Sequence, residues 1–241
     1  MNAARIAALL EPFLEQPLAP SQLNQISTYI DLLQRWNARI NLTAIRHEDE
    51  IVTRHFGESL FLARHLFPAT AAADAADAPL VAHLAMSGPP PRPPRVIDVG
   101  SGAGFPALPL KIWAPHIHLT LIESNHKKAA FLREVARALI LTDINVISDR
   151  AETVSGQPNS PQAEVVTLRA VENFERILPQ AHAFLAPNGS LALLIGVAQL
   201  PLLGNLTTLK WNPPISVPKS HSSVLSISVP RQSGKLLLYN S

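Results

Sequence analysis

The chain contains no cysteine. Disulfides, thiolate-ligated zinc, iron–sulfur clusters and a thiol nucleophile are therefore all excluded. Charge is also scarce: Asp, Glu, Lys and Arg make up 16% of the 241 residues, with a net charge of +2. An average soluble protein carries about 25% charged residues, so this chain is not a polycation that holds nucleic acid by bulk attraction. Its pI near 9.2 arises because two Tyr and no Cys leave few groups to titrate above neutrality. Long apolar runs are missing as well. No stretch approaches the roughly 18 consecutive apolar residues of a membrane-spanning helix. The stretch Ile6–Leu10 is stopped by Glu11 and Pro12 and is too short for a secretory signal. A soluble, cytoplasmic protein is expected, and a monomer.

Apolar residues make up 47% of the chain, enough to bury a core. The first 68 residues predict a helical region. Leu9, Leu10, Phe13 and Leu14 form a short amphipathic stretch. A helix then follows the N-cap candidate Ser21, with Leu23, Ile26, Ile30, Leu33 and Trp36 at three- and four-residue steps. A third helix is predicted over about 47–67, with Ile51, Phe56, Leu60 and Leu66 facing inward. Residues 69–94 begin with an Ala/Asp tract and place five of the 22 prolines in the last seven positions, which predicts a linker or insertion.

From Arg95 onward, strands and helices alternate. Strands are predicted at 96–99, 118–123, 144–148, 163–168 and 190–195. Helices are predicted at 106–113, 125–139 and 174–185, with a turn at Pro187-Asn-Gly189. Two further strands, 222–229 and 235–239, predict a closing antiparallel hairpin. This is an α/β pattern: a mostly parallel, Rossmann-like sheet over 95–241, covered on both faces.

The motif Asp98-Val-Gly100-Ser-Gly102-Ala-Gly104-Phe105-Pro106 follows a strand and opens a helix, the context that a ligand-binding turn needs. The dinucleotide pattern GxGxxG would require Gly where Phe105 stands. Glu123 ends the next strand, 23 residues beyond Gly100, close to the ~20 of a ribose-binding acid. An adenosine ligand without a pyrophosphate fits this spacing, and S-adenosylmethionine is such a ligand.

Further motifs occur in order: Leu32-Leu-Gln-Arg-Trp36-Asn37, Asn41-Leu-Thr43, Arg54-His55, the turn 98–106, Glu123-Ser-Asn-His-Lys-Lys128, Phe131-Leu-Arg133, Arg150-Ala-Glu152 and Leu168-Arg169-Ala170. With these the chain resembles the bacterial small-subunit ribosomal RNA methyltransferase G family, also called glucose-inhibited division protein B, over most of 21–67 and 95–196. The resemblance implies a class I S-adenosylmethionine-dependent methyltransferase fold with a small N-terminal helical extension. It also implies methylation of N7 of a guanine in 16S rRNA. By motif match, the cofactor-contacting positions are Gly100, Phe105, Glu123, Ser124, Asn125, Ala151, Glu152 and Arg169. Two positions depart from the family pattern: Ala107 replaces a Gly, and Ile195 replaces a Lys.

The chemistry agrees with the residue inventory. Guanine N7 has a free lone pair and no proton to lose, so its methylation needs alignment rather than a general base or a covalent nucleophile. Zero cysteine excludes cytosine C5 methylation through a thiolate. Asn212-Pro-Pro-Ile215 resembles an exocyclic-amine methyltransferase motif but follows the wrong strand, and reads as a turn. Several residues also have plainer readings. Arg169 could pair with Glu172, Glu152 could favour a helix N-terminus, and His55 beside Arg54 could be a structural pair. Trp36 and Phe131 read as core, and Asn41 or Thr43 as caps of the following segment. The nine His show no metal-ligand spacing.

RNA contact must be local, because the net charge is small. Residues 1–94 carry seven basic and nine acidic groups, whereas 95–241 carry thirteen and nine, with no acid after Glu175. Lys127, Lys128, Arg133 and Arg137 on one side, and Arg35, Arg39, Arg46 and Arg54 on the other, predict a joint basic surface. The alternatives are a methyltransferase acting on another RNA site, a protein or a small molecule; an NAD-linked oxidoreductase; and a non-catalytic nucleotide- or RNA-binding module.

Overall fold

A computed structural model describes residues 1–68, 92–169 and 173–230. The proline-rich stretch to residue 91, Glu172 and the expected strand 235–239 lie outside the described residues.

The first helices are α1 (Ala3–Leu10) and α2 (Pro20–Asn37). The Asn2 side chain caps α1 by accepting from Arg5 N at 2.9 Å. Helix α2 starts earlier than expected. Pro20 presets the first helical residue, and the Gln22 side chain returns to Ala19 N at 2.9 Å, so Ser21 lies inside the first turn and does not cap it. Next come α3 (Glu48–Glu50) and α4 (Glu58–Leu66), joined through a π-helical segment, Ile51–Gly57. The wider turn lets Ile51 and Phe56, five residues apart, both be fully buried on one side.

The strands are β1 (Arg95–Val99), β2 (His118–Ile122), β3 (Ile144–Ile147), β4 (Ala163–Arg169) and β5 (Leu185–Gly196), followed by β6 (Leu209–Trp211), β7 (Ile215–Ser216) and β8 (Ser223–Pro230). Between them lie α5 (Ala107–Trp113), α6 (His126–Ala138), α7 (Ala151–Ser155) and α8 (Phe174–Ala183). The sheet order is β3-β2-β1-β4-β5-β8-β6. Strands β1 to β5 run parallel, and β8 pairs antiparallel with both β5 and β6. The antiparallel C-terminal partner of β5 is thus present as β8. On the far side of β8 lies β6, a strand not anticipated from the sequence. Ile195 sits buried in β5 opposite Val224. The segment 212–214 does not turn as expected: β6 and β7 run in the same direction along β8, and Asn212 N bonds the Ile227 carbonyl at 3.0 Å, so the prolines mark an irregularity in an extended edge.

The expected turn at Pro187–Gly189 is instead an irregularity within β5. Asn188 takes a left-handed conformation (φ 67°), and the β4–β5 register shifts between Ala163 and Val165. A Cβ on Gly189 would lie 2.9 Å from the Ala163 carbonyl, so the strands close over a position that suits only glycine.

Alternation along the strands divides the core. Val96, Leu119, Leu121, Val165 and Leu194 pack with α1, α2, α4, α5 and α6. Ile97, Val99, Val166, Leu168 and Leu193 pack with α7 and α8 on the other face. Both faces are therefore buried, as a parallel sheet demands. Strand β1 lies between β2 and β4, so the chain changes direction across the sheet at β1/β4. The crevice at the C-terminal ends of these two strands is where open α/β sheets hold ligands.

Candidate cofactor and substrate site

The glycine turn leaves β1 at this crevice. Gly100, Gly102 and Gly104 all have positive φ, at 73°, 54° and 89°. L-residues with side chains rarely adopt such angles. Gly104 has a second constraint, because a Cβ there would run into the Tyr29 hydroxyl and lie 2.6 Å from Leu108 Cδ1. Gly102 differs: among the described residues a Cβ there would find nothing closer than the Gly100 carbonyl at 3.8 Å. The space over Gly102 is open to a ligand. Gly100 N and Ser101 N bond the Ile122 carbonyl at 2.9 and 3.1 Å, fastening the turn to the end of β2.

Glu123 follows β2 and is 7% exposed. Its Oε2 accepts from Gly102 N at 2.8 Å, and its Oε1 accepts from Asn125 N at 2.7 Å. A carboxylate has about four lone-pair sites, so acceptor capacity remains for two ribose hydroxyls. Ser124 and Asn125 are exposed, and the Asn125 side chain caps α6 through Lys127 N at 2.9 Å and Lys128 N at 3.2 Å. Ala151 is buried at the start of α7. Glu152 beside it is half-exposed and pairs with Arg176 at 2.9 Å.

Asp98, the last but one residue of β1, is 1% exposed. Its Oδ1 accepts from Thr167 Oγ1 at 2.6 Å, whereas its buried Oδ2 has no partner among the described residues. Burial pushes its pKa up to about 6 against the pull of the Thr167 hydrogen bond.

The N-terminal helices close the other side of the turn. Phe105 is 7% exposed. Its ring stacks on Tyr29 (5.3 Å, 4°) and on His55 (4.6 Å, 17°), with Phe56 edge-on at 5.1 Å. The Phe105 side chain therefore belongs to this aromatic cluster. Arg169, at the end of β4, reaches the same helices. Its Nη2 donates to Glu58 Oε2 at 2.8 Å and to the Arg54 carbonyl at 2.5 Å, and its Nη1 lies 3.1 Å from His55 Nδ1. On the far side of the ring, His55 Nε2 lies 2.8 Å from Thr43 Oγ1. Burial, together with the Arg169 and Arg54 charges, drives the His55 pKa down to about 3, so the imidazole is neutral.

Asn37 shapes the loop that carries Thr43. Its Oδ1 accepts from Leu42 N at 2.9 Å and Thr43 N at 3.0 Å, and its Nδ2 donates to the Thr43 carbonyl at 3.0 Å. Neither Asn41 nor Thr43 caps α3, whose N-cap is His47; Asn41 accepts from Arg46 at 3.2 Å. Tyr29 and Glu58 were not singled out from sequence. Tyr29 sits in a helical core repeat that gives its hydroxyl no special mark. The step of five between Ile51 and Phe56 was the available signal that Arg54, His55 and Glu58 lie on or beside a π segment.

Trp36, Arg39 and Ile40, at the C-terminal end of α2 and just after it, face His126, Lys127 and Ala130 of α6 across a groove of about 480 Å³. Phe131 is fully buried, but Trp36 is only half-buried against it (5.6 Å between rings) and leaves an edge in the groove. Among the described residues, Arg39 and Lys127 have no acidic partner within ion-pair distance.

A Klebsiella pneumoniae protein solved as a candidate O-methyltransferase superposes on 95% of the chain and 99% of its own length, with a TM-score of 0.59 at 12% identity. The α/β fold of a class I methyltransferase is the one this chain adopts. In sequence, a protein of Roseiflexus castenholzii is 42% identical over 177 residues, covering 70% of this chain and 66% of the relative. One from Chromobacterium violaceum is 31% identical over 204 residues, covering 83% and 85%. Both carry the name Ribosomal RNA small subunit methyltransferase G. The chain spans just under two thirds of the length of the Roseiflexus and Chloroflexus relatives, at 66% and 64%. The family model for rRNA small subunit methyltransferase G matches residues 22–77 and 82–202, a range that holds Tyr29, His55, the glycine turn, Glu123 and Arg169. The chain belongs to the rRNA small subunit methyltransferase G family.

Proposed function

We propose that the protein is an S-adenosylmethionine-dependent methyltransferase that methylates N7 of a guanine in 16S rRNA. The observation that carries this reading is the glycine turn at the β1/β4 crevice, open over Gly102 and faced by the Glu123 carboxylate. The residues fit the cofactor. Glu123 would hold the ribose hydroxyls, Gly100 and Phe105 would line the methionine side, and Ser124, Asn125, Ala151 and Glu152 would border the adenine. Arg169, held by Glu58 and His55, would border the methyl-transfer side. Asp98 Oδ2, which has no partner among the described residues, is a buried acceptor beneath the same turn.

When bound, the cofactor would supply a methyl group activated by a sulfonium, with a neutral thioether as its leaving group, and guanine N7 offers a free lone pair to receive it. N7 carries no proton, so no side chain has to act as a base. The neutral His55 and the ion-paired Arg169 suit a site that positions and excludes water. Orientation of this kind can supply on the order of 7–11 kcal/mol of the barrier at best.

An RNA substrate is supported by the groove that brings Arg39 and Lys127 together across α2 and α6. Two cations without acidic partners among the described residues, beside Trp36, suit phosphates flanking a nucleotide. The reading makes 95–241 the catalytic domain, 1–68 its helical cover and 69–94 an insertion. It describes a monomeric cytoplasmic enzyme that acts on 16S rRNA or the small ribosomal subunit. Calorimetric titration with S-adenosylmethionine and with NAD tests the cofactor assignment. Saturable heat with the first and none with the second is expected; no heat with S-adenosylmethionine overturns the reading.

A further inference from the structure

The contacts around His55 fix the direction of a hydrogen-bond chain. A guanidinium has donors and no acceptor, so Arg169 Nη1 can only donate to His55 Nδ1, 3.1 Å away. Nδ1 therefore carries the lone pair, and the single ring proton sits on Nε2. Nε2 in turn donates to Thr43 Oγ1 at 2.8 Å. Thr43 Oγ1 also accepts from Ile45 N at 3.1 Å. Both hydroxyl lone pairs are then occupied, and the O–H has only a donor role left. No acceptor for it is present among the described residues, and Thr43 is half-exposed.

The donor is also held rigidly. Asn37 fixes the Thr43 backbone through both its N–H and its carbonyl. The His55 ring is stacked on Phe105, and Arg169 is anchored to Glu58. These partners tie Thr43 to the glycine turn that leaves β1 and to the end of β4, which flank the crevice of the proposed methyl transfer.

We propose that the Thr43 hydroxyl is a specificity-determining donor that recognises O6 of the purine whose N7 is methylated. This rests on the guanine-N7 reading above. Guanine presents two adjacent acceptors on that edge, N7 and O6, whereas adenine presents N7 and an N6 amine donor. A hydroxyl that can only donate accepts guanine and meets adenine donor to donor. A site built around such a bond rejects the partner lacking it, because a desolvated donor is left unpaired.

The test uses the full chain, S-adenosylmethionine and 16S rRNA transcripts carrying guanine or 2-aminopurine at the methylated position. In 2-aminopurine a hydrogen replaces O6. The wild type should lose about ten- to hundredfold in kcat/KM on the 2-aminopurine transcript. Thr43→Val should show a similar loss on the guanine transcript, with unchanged S-adenosylmethionine affinity, and little further loss on 2-aminopurine. Thr43→Ser, which keeps the hydroxyl, should restore discrimination. A wild type indifferent to loss of O6, whatever the behaviour of the variants, overturns the inference. So does a Thr43→Val variant that discriminates as the wild type does. Methyl transfer to rRNA by neither protein would overturn the N7 reading and the inference together.

Discussion

The Tyr29 hydroxyl donates a 2.5 Å hydrogen bond to the carbonyl of Ala103, tying α2 to the middle of the glycine turn. Tyr29 is fully buried, and burial raises its phenol well above the usual range, so it stays protonated and a donor. Tyr29→Phe should therefore remove the bond and leave a buried carbonyl unpaired. A loss of about 1–3 kcal/mol in chemical denaturation is expected. S-adenosylmethionine affinity should drop several-fold as the turn loses its support. Unchanged stability and affinity would mean that the N-terminal helices do not hold the turn.

Glu123 supports the turn and, in the proposed function, holds the ligand. Glu123→Gln keeps the shape but replaces one acceptor oxygen with an NH₂. That group must face Gly102 N, Asn125 N or the ribose. S-adenosylmethionine binding should weaken at least about tenfold, as expected for losing hydrogen bonds to a charged acceptor. Calorimetry decides, and an affinity within a factor of two of wild type would remove Glu123 from the site.

Arg39→Glu and Lys127→Glu should each leave S-adenosylmethionine affinity unchanged and raise the KM for RNA. The dependence of log KM on log salt should become shallower by about 1 for each phosphate that the variant no longer neutralises. Equal salt slopes for variant and wild type would place RNA elsewhere.

Acid should destabilise the protein partly through His55. Its folded pKa is about 3, whereas an unfolded histidine titrates near 6.5. Between those values the unfolded chain binds the extra proton, so stability rises with pH and is lost as pH falls below about 6.5. Asp98 acts in the opposite sense. Its folded pKa is raised to about 6, so protonation favours the folded state between about 6 and its unfolded value near 3.9. The His55 window opens at higher pH and reaches lower. Thermal melting of His55→Gln should therefore fall less between pH 6.5 and pH 4 than that of the wild type. Parallel curves would show that His55 is protonated in the fold.

The sheet was largely legible because parallel strands buried on both faces give short apolar runs between helices. Val96–Val99 and Ala163–Leu168 read as strands directly. The irregularity at Asn188 was not legible, because Pro-Asn-Gly is turn chemistry and only pairing with β4 keeps the segment in the sheet. The turn and Glu123 were identified by spacing and by the strand each one follows. The relation of Arg169 to Glu58 and His55 spans more than 110 residues and depends on how the N-terminal helices dock. No local pattern encodes such a contact; from sequence, Arg169 read as a functional residue at a strand end, with pairing to Glu172 as the plainer alternative. Phe105 was legible as part of the turn, but the Tyr29 and His55 rings stacked on it were not.

The most direct measurement of the central claim is transfer of labelled methyl from S-adenosylmethionine to 16S rRNA, followed by nucleoside analysis of the product. Label recovered as 7-methylguanosine, in amounts approaching one per rRNA, is the predicted result. Label in any other nucleoside, or none in RNA at all, would contradict it.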